Sequence, residues 1–389
     1  MTAVEAAVAC VVCGAPCGAP IYRGEGSASV SSQAHMLAIP TIVHACAHCG
    51  HLQTKPLHDI AGYYNATYNN HLESDDADDL YEVKNGVPVY RQAHQAVVAL
   101  EKLRLPQGAA VLDFGCAKAT TLRNMIAVRP DLDAAAFDVS DAYRAHWDRF
   151  IRPENQASFT PPGAWTGRFD VVLSFFALEH VAEPRTFLAA ARGLLKPGGT
   201  LYLIVPNIRH NIGDLIVVDH VNHFMPSSLR FAFTQAGFVD VRIDEEAHSA
   251  AYVIDATRSE TAAQPVLDVG VESFIAEGRQ FAAFWSGAGT AVRAFESEVA
   301  RGRPSVIYGS GLYGAFIASQ LRDHASLAYF LDQNPHQQAK RIFDRAVRAP
   351  AGIGAEIEVI YAALNPSRAR AIIADVPWLH VRARDIFFL

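Results

Sequence analysis

The chain has 389 residues, half of them apolar, with a formal charge of -7 and an isoelectric point near 6.1. That length exceeds one ordinary domain and that composition can bury several cores, so two or three domains are expected and a disordered chain is excluded. The acidic balance offers no field for a phosphate backbone, which sets nucleic acid aside and leaves a small molecule as the expected substrate.

The N-terminus carries Glu5 and no basic residue before its short apolar run, and no stretch approaches about 18 consecutive apolar residues. Neither a signal peptide nor a membrane span is expected, and the reading is of a cytoplasmic protein. Cys10-x-x-Cys13 and Cys46-x-x-Cys49 then form two knuckles, each followed by a glycine, Gly14 and Gly50. Paired spacings of this kind aim thiolates at a tetrahedral zinc, and the segment between them can fold into hairpins that bring the knuckles together. Four thiolates leave no open coordination position, so the expected zinc is structural. His44, His48 and His51 stand close enough to replace a ligand, and Cys17 has no assigned role.

From Lys55 to Tyr90 the composition turns to Tyr, Asn, His and acids, with Tyr63, Tyr64, Tyr68 and Tyr81 among them. It reads as a polar connector, or as a lid whose aromatics, Tyr64 and Tyr68 above all, cover a substrate. Val89 to Leu103 has apolar residues at helical spacing.

Val111 to Leu122 (VLDFGCAKATTL) reads as a buried strand, a tight turn at Gly115 and a helix start that Thr120 or Thr121 can cap. A second apolar run, Ala134 to Phe137, ends at Asp138, where a carboxylate in an open α/β sheet meets ribose hydroxyls. A pyrophosphate turn wants further glycines, but Ala117 and Ala119 stand in those places. The stretch resembles the first motif of the class I S-adenosylmethionine methyltransferases, usually Asp-x-Gly-x-Gly-x-Gly, whose ligand has no phosphate. Asp113 and Gly115 match it, and the alanines are read as tolerated departures.

The doubly wound pattern continues with strands at Phe169 to Phe175 and Thr200 to Val205, a helix at Pro184 to Leu195 and a Lys196-Pro197-Gly198-Gly199 turn. Three more features are similar to that family: Leu178-Glu179-His180-Val181 after a strand, the Lys-Pro-Gly-Gly turn, and Asp219-His220-x-x-x-Phe224 before a helix ending at Gly237. Val239 to Asp244 and Ala251 to Asp255 are the expected antiparallel edge pair. For S-adenosylmethionine the resemblance implies contacts from Asp113, Phe114, Gly115, Ala117, Asp138, Val139 and Ser158, with Ser174 and Phe175 at the methyl end.

Leu267 to Val299 is a long helical region, expected as a packing face between domains. SVIYGSGLYGAF then carries Gly309-x-Gly311-x-x-Gly314 after a strand, with Asp332 ending the next one, which read literally predicts a dinucleotide. With the cysteine knuckles, the methyltransferase motifs and Asp332-x-Asn334-Pro335, the whole chain resembles the three-domain sugar C-methyltransferases. In those the last domain shapes the substrate cleft. The implied organisation is an α/β, doubly wound Rossmann-like methyltransferase core (96–258) with a zinc-binding domain (1–58) and a connector (59–95) before it. A helical connector (259–301) and a C-terminal Rossmann-like domain (302–389) follow.

Methyl transfer to an O–H or C–H needs the acceptor aligned with the sulfonium and one base. By position in the family His220 is that base, with Asp219 to orient it, and His180 and His223 are further catalytic candidates; the bland alternative is that His220 and His223 are loop residues capping the next helix. Glu179 and Asn207 join Tyr64 and Tyr68 as candidate substrate contacts. Phe176 stands where metal-assisted members have a second glutamate, so no catalytic metal is expected. The expected function is methylation of a small-molecule acceptor, a nucleotide-linked sugar or another secondary metabolite, by a monomer or homodimer with no nucleic-acid or membrane partner. O-methylation of a natural product, an NAD-linked oxidoreductase and a silent binding scaffold are the alternatives.

Overall fold

A computed structural model describes residues 8–25, 28–57, 78–84, 87–261, 264–268, 270–338, 340–376 and 384–389. Tyr64 and Tyr68 lie outside the described residues. The chain divides into two compact units, the first of Met1–Ala19, His44–Arg209 and Val221–Ile275 and the second of Pro20–Val43, His210–His220 and Ala276–Leu389. Among the described residues no helix is long and apolar enough to cross a membrane.

In chain order, short strands β1 (Pro20–Arg23), β2 (Ser29–Val30) and β3 (Met36–Leu37) belong to the second unit, and β4 (Ile42–Ala45) crosses into the first. There β5 (Leu52–Thr54) is followed by a hairpin, β6 (Leu80–Lys84) and β7 (Val87–Tyr90), which leads into a helix at Arg91–Lys102.

The principal strands of the first unit are β8 (Ala110–Phe114), β9 (Asp133–Asp138), β10 (Gln156–Ser158), β11 (Phe169–Phe175) and β12 (Leu195–Pro206). After β13 (Asn222–His223) come β14 (Phe238–Asp244) and β15 (Ala251–Arg258), and the seven-stranded sheet has the order β10-β9-β8-β11-β12-β15-β14. Every residue of β8 is buried, which is the pattern of a parallel strand covered on both faces and explains its unbroken apolar run. The first five strands are parallel, while β15 runs antiparallel between β12 and β14.

This order positions the site. The chain winds outward from β8 through β9 to β10, then returns to the other side of β8 with β11 and β12, so the connections after β8 and β11 part from one another. A crevice opens at such a switch point, outside the carboxyl ends of the strands. Because β15 is antiparallel to β12, with Ala251 beside Pro206, the loop between β14 and β15 also comes back to this edge.

The second unit holds β16 (Ser305–Tyr308), β17 (Leu327–Leu331), β18 (Arg341–Ile342), β19 (Arg345–Arg348), β20 (Val359–Ala362) and β21 (Asp385–Phe388) in the order β18-β19-β17-β16-β20-β21. All pair in parallel except β18. A Cβ on Gly314 would lie 2.1 Å from the Gly309 carbonyl oxygen, and one on Gly309 would lie 2.3 Å from that of Ala363. Two glycines of the fingerprint are therefore demanded by backbone packing alone. Asp332 accepts hydrogen bonds from the amide and hydroxyl of Ser310 and from the amide of Asn334.

Candidate functional site

The turn after β8 is tied to the end of β9. The amides of Gly115 and Cys116 both donate to the Phe137 carbonyl, and Asp138 accepts from the Ala117 amide at 2.8 Å and the Ser140 amide at 3.0 Å. Gly115 has φ +81, but so do the alanines turn into left-handed space, Ala117 at φ 46 and Ala119 at φ 54. They occupy glycine conformations at a cost of roughly 1–2 kcal/mol each. The expected side-chain cap is not formed: Ala119 is the N-cap of the helix Thr120–Val128 without a side-chain bond, and the Thr121 hydroxyl donates to Gln95 instead.

Asp113 lies between Ala136 on β9 and Leu173 on β11, one residue short of the level of Ser174. Its carboxyl is 2% exposed, and burial together with the nearby Asp138 pushes it up to about 8. Burial also raises Asp138, against the amides that hold it down. Asp113 Oδ1, Ser158 Oγ and Ser174 Oγ are buried with no hydrogen-bond partner. Orphaned polar atoms at the ends of β8, β10 and β11 fit a ligand with hydroxyl and amino groups, as the adenosyl and amino-acid parts of S-adenosylmethionine have. Phe114 stacks on Phe137 at 4.9 Å, Phe175 meets Tyr202, and Val139 is exposed beyond Asp138.

Cys10, Cys13, Cys46 and Cys49 are brought together, with sulfur atoms all within 4.8 Å of one another. The Cys10–Cys49 and Cys13–Cys46 separations of 3.6 and 3.4 Å approach the edge of about 3.8 Å that a tetrahedral zinc thiolate requires. Both knuckles make the same turn: Gly14 at φ +80 donates to the Cys10 carbonyl and Gly50 at φ +76 to that of Cys46. The thiols of Cys10, Cys17 and Cys49 hold Cys46 far below the usual thiol range, and Cys17 and Cys49 are pushed up in return. The donor set fits a closed metal centre.

The histidines separate. His180 and Glu179 lie buried in the 3-10 turn Leu178–His180 after β11. His223 is fully buried in β13, which pairs with β5, and its Nε2 lies 2.8 Å from the Thr54 hydroxyl. The imidazole of His223 thus bridges two strands, a structural use for a residue expected as a catalytic candidate. Asn207 is also buried inside its own loop, where its side chain accepts from the Arg209 amide and its backbone amide donates to the Ala250 carbonyl.

In the second unit a carboxylate outside the expected set, that of Asp214, stands at His220. His220 Nδ1 lies 2.6 Å from Asp214 Oδ1, and both are buried. Asp219 accepts from the amide and hydroxyl of Ser32, each at 2.7 Å. The loop carrying these residues is anchored along its length. The Asn365 side chain donates to the His210 carbonyl, the Tyr313 hydroxyl to Asn211, the Trp285 indole to the Ile212 carbonyl and the Thr41 hydroxyl to the Ile216 carbonyl.

With this geometry in view, the comparisons with known proteins agree on one domain. A family model described as a methyltransferase domain matches residues 89–243. The chain carries a class I S-adenosylmethionine-dependent methyltransferase domain. It is similar to a ubiquinone biosynthesis O-methyltransferase of Caulobacter vibrioides, 33% identical over 110 residues that cover 26% of this chain and 42% of that one. It is similar also to a malonyl-[acyl-carrier protein] O-methyltransferase of Alcanivorax borkumensis, 31% identical over 160 residues, 37% of this chain and 54% of the relative. The chain thus spans about half the length of the relatives it matches. Among solved structures, a complex of the Haloferax volcanii Trm112 methyltransferase activator with a methyltransferase matches at 18% identity over 44% of this chain and 91% of that one, with a TM-score of 0.37. A likeness at that level carries no inference.

Three residues of the first unit escaped the sequence reading. Asn222 donates to the carbonyls of Leu178 and Val181, at 2.9 and 2.7 Å, and its oxygen accepts from His51 Nε2. It thereby joins the turn of Glu179 and His180 to the second cysteine knuckle. Trp147 donates to the Ala117 carbonyl at 2.6 Å and so fixes the cofactor turn from the other side. His248, in the loop between β14 and β15, is the third. None lies in a recognisable spacing; only its single-residue identity marks each.

Proposed function

We propose that this chain transfers the methyl group of S-adenosylmethionine to a small-molecule acceptor, a nucleotide-linked sugar or another secondary metabolite, with His220 taking the acceptor's proton. The observation that carries the proposal is the set of orphaned buried atoms on Asp113, Ser158 and Ser174 at the switch point of a sheet within the methyltransferase match. The sulfonium methyl is displaced in line, so the protein's work is alignment and proton removal. A carboxylate only accepts, so Nδ1 of His220 carries the hydrogen toward Asp214 and Nε2 is the nitrogen that receives a proton. Cys10, Cys13, Cys46 and Cys49 hold a structural zinc in this reading.

A second reading, O-methylation, is supported by the names of the relatives, both O-methyltransferases. It needs only a hydroxyl deprotonated. Calorimetry with S-adenosylhomocysteine and with NAD is the deciding measurement: binding of the first and not of the second is expected, and the reverse would overturn the proposal in favour of a redox role for the second sheet. Transfer of labelled methyl to keto-sugar nucleotides and to phenols then separates the two acceptor readings.

A further inference from the structure

Beyond the cofactor turn, a group of rings gathers at the carboxyl edge of the first unit's sheet, in residues that neither the motifs nor the comparisons assign. His248 sits in the loop between β14 and β15, on the edge where that loop returns beside the end of β12. Tyr81 of the β6–β7 hairpin stands 4.9 Å from it, His94 from the first turn of the following helix 5.4 Å, and Phe176, just past β11, 5.7 Å. Tyr81 and His94 stack on each other at 4.0 Å. Arg91 lies over the Phe176 ring. Phe176 itself has φ 51, a left-handed backbone that a bulky side chain rarely takes, and such strain gathers where a ring must be aimed.

The hydrogen bonds leave His248 Nε2 unspent. His94 Nε2 reaches the Ala247 carbonyl, and the Ser249 amide donates to the Tyr81 hydroxyl at 2.8 Å. His248 Nδ1 is 2.9 Å from the Ser249 carbonyl, which can only accept, so Nδ1 carries the ring hydrogen and Nε2 is a bare acceptor. The residue is 4% exposed and Nε2 is buried with no partner. Burial, with His94 and Arg91 nearby, holds the imidazole down to about 4, so it stays neutral and Nε2 keeps its lone pair near neutral pH. Buried acceptors are ordinarily satisfied, and an unsatisfied one beside a ligand crevice is a place for a ligand's donor.

We propose that this cluster is an acceptor subsite: a planar ring packs against Phe176 and the Tyr81–His94 stack and presents an O–H or N–H at its edge to His248 Nε2. The inference rests on the methyltransferase reading and names the acceptor's shape and the donor that it must carry. A phenolic ring and the base of a nucleotide-linked sugar share that chemistry. Aromatic faces supply the stacking, and the bare nitrogen supplies the discrimination, because a site with a buried acceptor rejects an analogue that lacks the donor.

Two matched pairs test it on the full chain saturated with S-adenosylhomocysteine: phenol against anisole, and uridine against 3-methyluridine. In at least one pair the donor-bearing member should bind about tenfold or more tightly than its methylated partner, and the difference should vanish in His248→Phe. Preference within the phenol pair identifies an aromatic acceptor, and within the uridine pair a nucleotide-linked one. On the wild-type chain, the His248 Nε2 nitrogen resonance should also move when the preferred ring is added, which keeps the test intact if His248→Phe fails to fold. No discrimination in either pair, discrimination that survives His248→Phe, or an unmoved resonance would overturn the subsite. Failure of S-adenosylhomocysteine to bind would instead sink the methyltransferase reading, and the ring pairs remain measurable without it.

Discussion

The carboxylate of Asp214 meets Nδ1 of His220 at 2.6 Å, six residues apart on one buried loop. A short 3-10 turn at Ile212–Ile216 makes this possible by folding Asp214 back toward the histidine. Asp219, the immediate neighbour in sequence, faces Ser32. His220→Ala should therefore lose roughly two to four powers of ten in turnover while keeping cofactor affinity, and Asp214→Asn should lose about one to two. Asp219→Asn should leave more activity than Asp214→Asn. Single-turnover rates with the three variants decide it, and the reverse ranking would refute the pairing.

The cysteine knuckles should carry one zinc per chain, measurable by metal analysis of protein purified without added metal. Cys46→Ser should lower the zinc content and the stability of the first unit together, since metal binding here is part of folding. Well-folded protein with sub-stoichiometric metal would refute the assignment. Asn222→Ala removes two donors and one acceptor that are buried, and should cost about 2–4 kcal/mol of stability. Urea unfolding measures it.

Asp113 gives the ligand-free protein a pH dependence of definite sign. Its folded-state carboxyl is raised to about 8, well above an ordinary carboxylate, so the folded chain holds a proton that the unfolded chain has released. Its contribution is fully present below pH about 4 and is lost as pH rises through about 8, at up to about 1.4 kcal/mol per pH unit. His248, depressed to about 4, slopes the other way between about 4 and 6.5. The informative quantity is the difference between wild type and Asp113→Asn: the variant should gain relative stability steadily from pH 5 to pH 8 in about that window. A flat difference would mean that Asp113 titrates normally.

Ala117 and Ala119 hold left-handed backbone. Ala117→Gly should relieve roughly 1 kcal/mol of strain and raise the denaturation midpoint, an unusual sign for a glycine substitution. A lowered midpoint would mean that the methyl group's contacts outweigh the strain.

Much of this architecture was legible in the chain. β8, β9 and β11 are buried on both faces, and their apolar runs announce them; the cysteine pairs are local spacings, and their turns need glycine at Gly14 and Gly50. What escaped depends on distant contacts. Asp219 is visible beside His220 by adjacency in sequence, and a turn that also recruits Asp214 is not. The pairing of His223's two-residue strand with β5, far back along the chain, is equally invisible in sequence. The threonines after the β8 turn looked like caps, yet the left-handed Ala119 took the cap position and Thr121 turned toward Gln95.

The close approach of Gly314 to the Gly309 carbonyl has a consequence for how this sequence can drift. Any side chain there would push the helix Leu312–Gln320 off its strand, so both glycines are guarded by the architecture whether or not a nucleotide ever visits. Gly311 has nothing within 4 Å of its would-be Cβ and is under no such guard. Among descendants of this chain, the middle glycine is the position whose retention or loss would report on a ligand, while the outer two would persist as a relic of packing.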